Sequence, residues 1–246
     1  MKINMIKILY FSWLRENIGV SEEIVETSAK SIEELVEELK LKSDRYKLAF
    51  ANLDNVKVVK LLSRVIMDLA EGEIKQNLNR FDSAQTFSKY INKSYCKTAS
   101  LIANSTKAAG VLCNLEDEQL NHLYEFGKNI GLAFQVVDDI LDFTGNDKQL
   151  GKPAVSDLAS GYLTAPVLYA LEENENLSVL INRELVEKED LNNALNIVMN
   201  SQAIKRSRKL AEDFALHSKE AILWLPDSEY KRALLALPEF VLSRLY

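Results

Sequence analysis

At 246 residues, with 47% hydrophobic and 27% charged side chains, the chain has the balance of a soluble globular protein. A formal net charge of −6 with no basic stripe argues against nucleic-acid binding, and no apolar run is long enough to span a bilayer. No signal peptide precedes the first predicted strand, and Cys96 and Cys113 lack metal-site spacing, so reduced thiols in the cytoplasm are expected.

In chain order, residues 5–13 are rich in Ile, Tyr, Phe and Trp and predict a strand. A turn around 17–19 and a second strand over 22–27 follow. Ser31-x-x-Glu34 is a capping-box pattern opening a helix whose inward face is Ile32, Leu35, Val36 and Leu39. Strand, turn, strand and helix in this order are the opening of a β-grasp unit. Two strands and one helix bury little apolar surface, so this piece is expected to pack on the helical part or stay partly ordered.

From Val58 onward the pattern is helical. Val58, Leu61, Leu62, Val65, Ile66 and Leu69 form an apolar stripe expected to end near Gly72, with Glu73 and Gln76 on the next turn. A second helix over 86–111 carries Lys97 and Thr98, and its small residues Ala99, Ala103, Ala108 and Ala109 permit close packing. Residues 116–144 predict a long amphipathic helix with Ile130, Phe134, Val137 and Leu141 on one stripe. A polar loop over 146–162 holds Lys148, Lys152 and Asp157, and shorter helices run to the end, 201–223 being the most periodic.

The long helix carries the chemistry. Asp138, Asp139 and Asp142 sit at i, i+1 and i+4 and project from one side, with Gln135 one turn earlier. Clustered carboxylates repel, and burial raises their pKa values unless a cation compensates them. Such oxygens suit Mg²⁺, a hard cation that bridges to substrate phosphates. The pattern taken alone fits a solvated acidic face as well as a metal site, and Lys97 alone reads as a solvated lysine.

The wider context resembles the trans-polyprenyl diphosphate synthases of the solanesyl, long-chain type. The matching residues are Gln135-x-x-Asp138-Asp139-x-x-Asp142, Gly151-Lys152-Pro153, Asp157 to Gly161, Gly72-Glu73-x-x-Gln76, Lys97-Thr98 and Leu163-Thr164-Ala165-Pro166, with Leu242 to Tyr246 at the end. They run in the family's order over about residues 52–246. The resemblance implies Mg²⁺-dependent ionisation of an allylic diphosphate and its condensation with isopentenyl diphosphate. It places Asp138, Asp139 and Asp142 at the metal, Asp138 foremost. It places Lys97 and Lys152 on the allylic diphosphate, Gln135 at the edge of the pocket, and Thr98 facing the developing cation. The family's first aspartate-rich motif, a DDxx(xx)D followed by paired arginines, has no counterpart here. Asp54 stands alone, and Glu37-Glu38 lacks a third partner. The chain alone is therefore expected to elongate little or not at all; the alternative is a non-catalytic subunit of a complete synthase, and the assembly expected is a homodimer or a heteromer with such a synthase.

Residues 6–11 (Ile-Lys-Ile-Leu-Tyr-Phe), Trp13-Leu14-Arg15, Ile18-Gly19 and Ala49 to Asn52 resemble the small, ubiquitin-like subunit of molybdopterin synthase. That family's later strands and sulfur-carrying Gly-Gly end do not follow, so a sulfur-carrier role is not implied. A junction of two partial families near residue 52 looks like a fusion. The expected fold is mostly α: a truncated, all-helical isoprenoid-synthase-type bundle over 53–246, preceded by a partial β-grasp unit over 1–52.

Overall fold

A computed structural model describes residues 4–10, 15, 16, 18–51, 55–145 and 155–245. The chain divides into two compact units, Met1–Ser63 and Arg64–Tyr246.

In the first unit, β1 (Asn4–Leu9) and β2 (Glu22–Thr27) pair antiparallel, with Asn4 opposite Thr27 and Leu9 opposite Glu22. Helix α1 (Ile32–Lys42) begins at Ser31, whose hydroxyl accepts from the Glu34 amide, as the capping pattern predicts. The Glu34 carboxylate reaches back to the Lys30 amide and satisfies a second N–H at that end. Helix α2 (Asp44–Ala51) then supplies what two strands and one helix lack. Its Tyr46, Ala49 and Phe50 join Tyr10, Ile18, Val25, Val36 and Leu39 in a buried cluster. This corrects the expectation that the piece buries too little to form a core of its own. The Tyr10 and Tyr46 hydroxyls both donate to Glu23, so this carboxylate beside the cluster is satisfied.

Helix α3 (Val56–Leu78) runs on past Gly72 and does not end there. Glu73 and Gln76 thus lie on the next turn of the same helix, as expected, and packing accounts for the glycine. A Cβ on Gly72 would meet the Lys97 amide nitrogen at 3.0 Å and the Cys96 Cβ at 3.1 Å, so the missing side chain admits a neighbouring backbone. After α3 come α4 (Phe87–Ser94), capped by the Thr86 hydroxyl, a wide π turn over Tyr95–Ala99, and α5 (Ser100–Leu112). These three pieces occupy the single helix expected over 86–111.

Helix α6 (Asp117–Thr144) opens with a capping box between Glu116 and Gln119. It is followed by α7 (Ser156–Ala159), α8 (Ala165–Glu173), α9 (Glu175–Asn182), α10 (Asp190–Met199), α11 (Ala203–Ala221) and α12 (Glu229–Ser243). α6 packs along α5 and α11 and also touches the π turn, α8 and α12. Ile130, Ala133, Val136, Val137, Ile140 and Phe143 are buried on it, which makes it the central helix of the second unit. Phe134 and Leu141 from the predicted stripe are only partly buried. No described helix is long and apolar enough to cross a membrane.

Candidate active site

α6 is apolar over most of its circumference, so polar groups it carries inward require partners. The π turn supplies them. Gly131 is what lets it approach: a Cβ there would meet the Ala99 Cα at 2.6 Å. The extra residue of a π turn turns side chains to directions an α-helix does not reach, a device frequent at functional sites.

The result is a continuous chain of hydrogen bonds. The Thr98 hydroxyl donates to Gln135 Oε1 at 2.6 Å, and Gln135 Nε2 donates to Asp139 Oδ1 at 2.9 Å. The hydroxyl of Tyr90 on α4 donates to Asp139 Oδ2 at 2.6 Å. Three residues expected at the site, Thr98, Gln135 and Asp139, thus meet in one network. Lys97 lies beside it, its Nζ donating to Gln76 Oε1 at 2.8 Å and pairing with Glu73 at 3.1 Å. The Gly72-Glu73-x-x-Gln76 motif therefore has one local purpose. Gly72 brings α3 against the π turn, and Glu73 and Gln76 orient its lysine.

The other two aspartates share the same arc of α6 but turn to different partners. Asp138, partly exposed, pairs with Arg244 at 2.7 Å. The Arg244 guanidinium also lies 4.7 Å from the Phe134 ring centroid, a cation–π contact on the same helix. Asp142 is fully buried and accepts from the Ser156 hydroxyl at 3.1 Å and from the Asp157 amide at 3.2 Å. It therefore anchors the start of α7. Lys152, like Lys148, lies outside the described residues.

Electrostatics single out Asp139. Burial pushes its carboxyl up to about 6; the Lys93 charge and the Tyr90 and Gln135 hydrogen bonds pull it back, and Asp157 adds to the rise. Burial and the neighbouring Asp139 charge hold the Tyr90 phenol well above its ordinary value. The Lys93 ammonium is lowered by burial, against the opposing pull of Asp139. Gln76, Lys93, Lys97, Gln135, Asp139 and Thr164 stand in the wall of one small polar pocket of ≈ 60 Å³.

Sequence reading passed over Tyr90, Lys93 and any role for Arg244. Lys93 stands four residues before Lys97, a spacing that places two helical side chains together, and that was its signal. Tyr90 and Arg244 are brought in by packing alone. A second acidic group, Asp68 and Glu71 with Cys96, is already neutralised: Arg64 pairs with Asp68 at 2.7 Å and Lys75 with Glu71 at 2.6 Å.

The polyprenyl synthetase family matches residues 30–198. The chain belongs to that family. The match begins inside the first compact unit. A prenyl transferase of Synechocystis sp. is 53% identical over 196 residues, which are 80% of this chain and 61% of that protein. Solanesyl diphosphate synthase 2, chloroplastic, of Arabidopsis thaliana is 47% identical over 79% of this chain and 47% of its own length. The chain thus spans about half to three fifths of these relatives. Among solved structures, heptaprenyl diphosphate synthase from Staphylococcus aureus matches with a TM-score of 0.76 at 30% identity, over 82% of this chain and 64% of that one. The apo form of an Arabidopsis medium/long-chain length prenyl pyrophosphate synthase matches with a TM-score of 0.72 at 34% identity, over 86% of this chain and 77% of that one.

Proposed function

We propose that this polyprenyl synthetase chain carries the diphosphate-binding half of a trans-prenyltransferase site, built on the aspartate-rich helix α6. The observation that supports this reading is the network Thr98–Gln135–Asp139–Tyr90, with Lys97 held beside it in one polar pocket. The substrates it fits are an allylic diphosphate and isopentenyl diphosphate. Lys97, with Lys152, holds diphosphate oxygens, while Gln135 orients the Thr98 hydroxyl, whose oxygen lone pairs face the carbon that becomes positive when the C–O bond breaks.

The donor set fits Mg²⁺. Asp138 offers a partly exposed carboxylate that already engages a cationic group, and all three aspartates are hard oxygen donors. Asp138 would hold the ion foremost, with Asp139 and Asp142 beside it. When bound, the ion neutralises charge on the departing diphosphate. The work of the chain's own residues is to orient Lys97 through Glu73 and Gln76 and to keep water from the allylic carbon.

α6 bears the single aspartate-rich motif in these 246 residues, so we infer that the chain alone achieves little or no elongation. Incorporation of labelled isopentenyl diphosphate with Mg²⁺ and an allylic primer tests this, beside an Asp138→Ala control. The expected result is no elongation, together with a rise in melting temperature when Mg²⁺ and diphosphate are added. Elongation abolished by Asp138→Ala would overturn the inference of inactivity. An unchanged melting temperature would overturn the site.

A second reading, a partner subunit of a complete synthase, is favoured by the exposed Ile66, Met67, Leu69, Ile74 and Leu78 on α3. Co-purification with a full-length synthase and a changed product length would support it. A monomer that leaves such a synthase unaffected would count against it.

A further inference from the structure

Two residues of the pocket have no part in the reading above. The first is Lys93, on the last turn of α4, half-buried beside the Tyr90 ring with its Nζ 5.2 Å from the ring centroid. Lys97 is engaged by Glu73 and Gln76, whereas among the described residues no carboxylate lies within 4.0 Å of Lys93. Its ammonium has donors to spare in a wall it shares with Lys97.

The second is Thr164. It stands at the N-cap of α8, where a threonine hydroxyl ordinarily accepts from the first turn, yet it makes no such bond. The residue is 2% exposed, its Oγ1 has no hydrogen-bond partner among the described residues, and it lines the same pocket. A buried hydroxyl without a partner costs stability. It is a hydrogen bond held ready for something that enters the pocket. The start of α8 adds the positive end of a helix dipole at this wall.

Charge says what that something is. Lys93 and Lys97 share the pocket wall with Asp139 and Asp157, and Glu73 pairs with Lys97, so two cations stand against three carboxylates. Because Glu73 already engages Lys97, Lys93 is the cation that offsets the remaining carboxylates, so that an anion assisted by a metal ion is admitted. Without Lys93 the net negative charge grows and the pocket repels an anion.

We propose that Lys93 is a second cation for the diphosphate group in this pocket, and that the Thr164 hydroxyl donates to the same group. This rests on the diphosphate-site reading given above. Lys93 then shares with Lys97 the charge of the bound headgroup, and Thr164 fixes one of its oxygens.

The test is calorimetric titration of the 246-residue chain with inorganic diphosphate in the presence of Mg²⁺. Lys93→Gln is expected to weaken binding about tenfold or more, the scale of one charge-assisted hydrogen bond. Lys93→Arg, which keeps the charge, is expected to stay within about threefold of the parent. Thr164→Val removes only the hydroxyl and is expected to weaken binding several-fold, which tests the pocket even where Lys93→Gln fails to fold. Lys128→Gln, at a surface pair with Glu125, is expected to bind like the parent. A folded Lys93→Gln that binds like the parent, while Lys97→Gln binds weakly, overturns the proposal and leaves the diphosphate site standing. A parent chain that binds no diphosphate overturns both.

Discussion

At the scale of single residues, the pH response of this protein should centre on Asp139. Its folded pKa is raised from 3.8 to about 6, so between those values the folded state holds a proton that the unfolded chain has released. Stability from this group is complete below about pH 4 and is lost as pH rises through 6. The full loss is about 3 kcal/mol, taking 1.36 kcal/mol for each pKa unit. Asp139→Asn removes the titration and can still accept from Tyr90. Denaturant unfolding of the parent and this variant at pH 4, 5 and 7 should show the parent losing about 2–3 kcal/mol relative to the variant; parallel pH profiles would show that Asp139 stays ionised. Arg244 acts differently, because its pair with Asp138 is partly exposed and screened. Arg244→Ala should lower stability by no more than about 1 kcal/mol in the same measurement.

At the scale of elements, the π turn and the two glycines that face it make the site. Gly72 on α3 and Gly131 on α6 approach it from either side, and each lacks the Cβ that would hold the helices apart. Gly131→Ala should cost about 1–3 kcal/mol by overpacking against Ala99. Because Thr98 precedes Ala99, the same substitution should also reduce the melting-temperature rise produced by Mg²⁺ and diphosphate. Thermal melts with and without these additives measure both effects. A loss of stability with the full ligand response would show that the glycine serves packing alone.

At the scale of the whole molecule, two units each have a core of their own. Leu39 is 2% exposed within the first, so Leu39→Ala should open a cavity costing about 2–5 kcal/mol there. The Mg²⁺- and diphosphate-dependent melting of the second unit should be unaffected, which differential scanning calorimetry would resolve as one shifted and one unshifted transition. The first unit also shows why local reading underestimates a small core. Tyr46, Ala49 and Phe50 carry no strong periodic signal of their own, and only their position opposite Tyr10, Ile18 and Val25 makes them core.

Much of the helical architecture was legible in the chain. The starts of α1, α4 and α6 follow from Ser31, Thr86 and Glu116, because a cap is a bond between residues three apart. The register of Gln135 with Asp139 was equally visible, because helix spacing dictates it. Local periodicity does not say which helix faces which. Gly72 showed only as the end of an apolar stripe, because the backbone it admits, at Lys97, lies far along the chain. Helix spacing does not tell the surroundings of Asp138, Asp139 and Asp142 apart, because these come from Arg244, Tyr90 and Ser156, each on another element. The sequence by itself determined which side chains are candidates: three carboxylates on one helix, Lys97 and Lys152, and Thr98 and Gln135. Only the tertiary structure decided which carboxylate is buried, which lysine is left with donors to spare and which hydroxyl waits without a partner. Burial and hydrogen-bond satisfaction are properties of contacts between distant segments, and no local pattern encodes them.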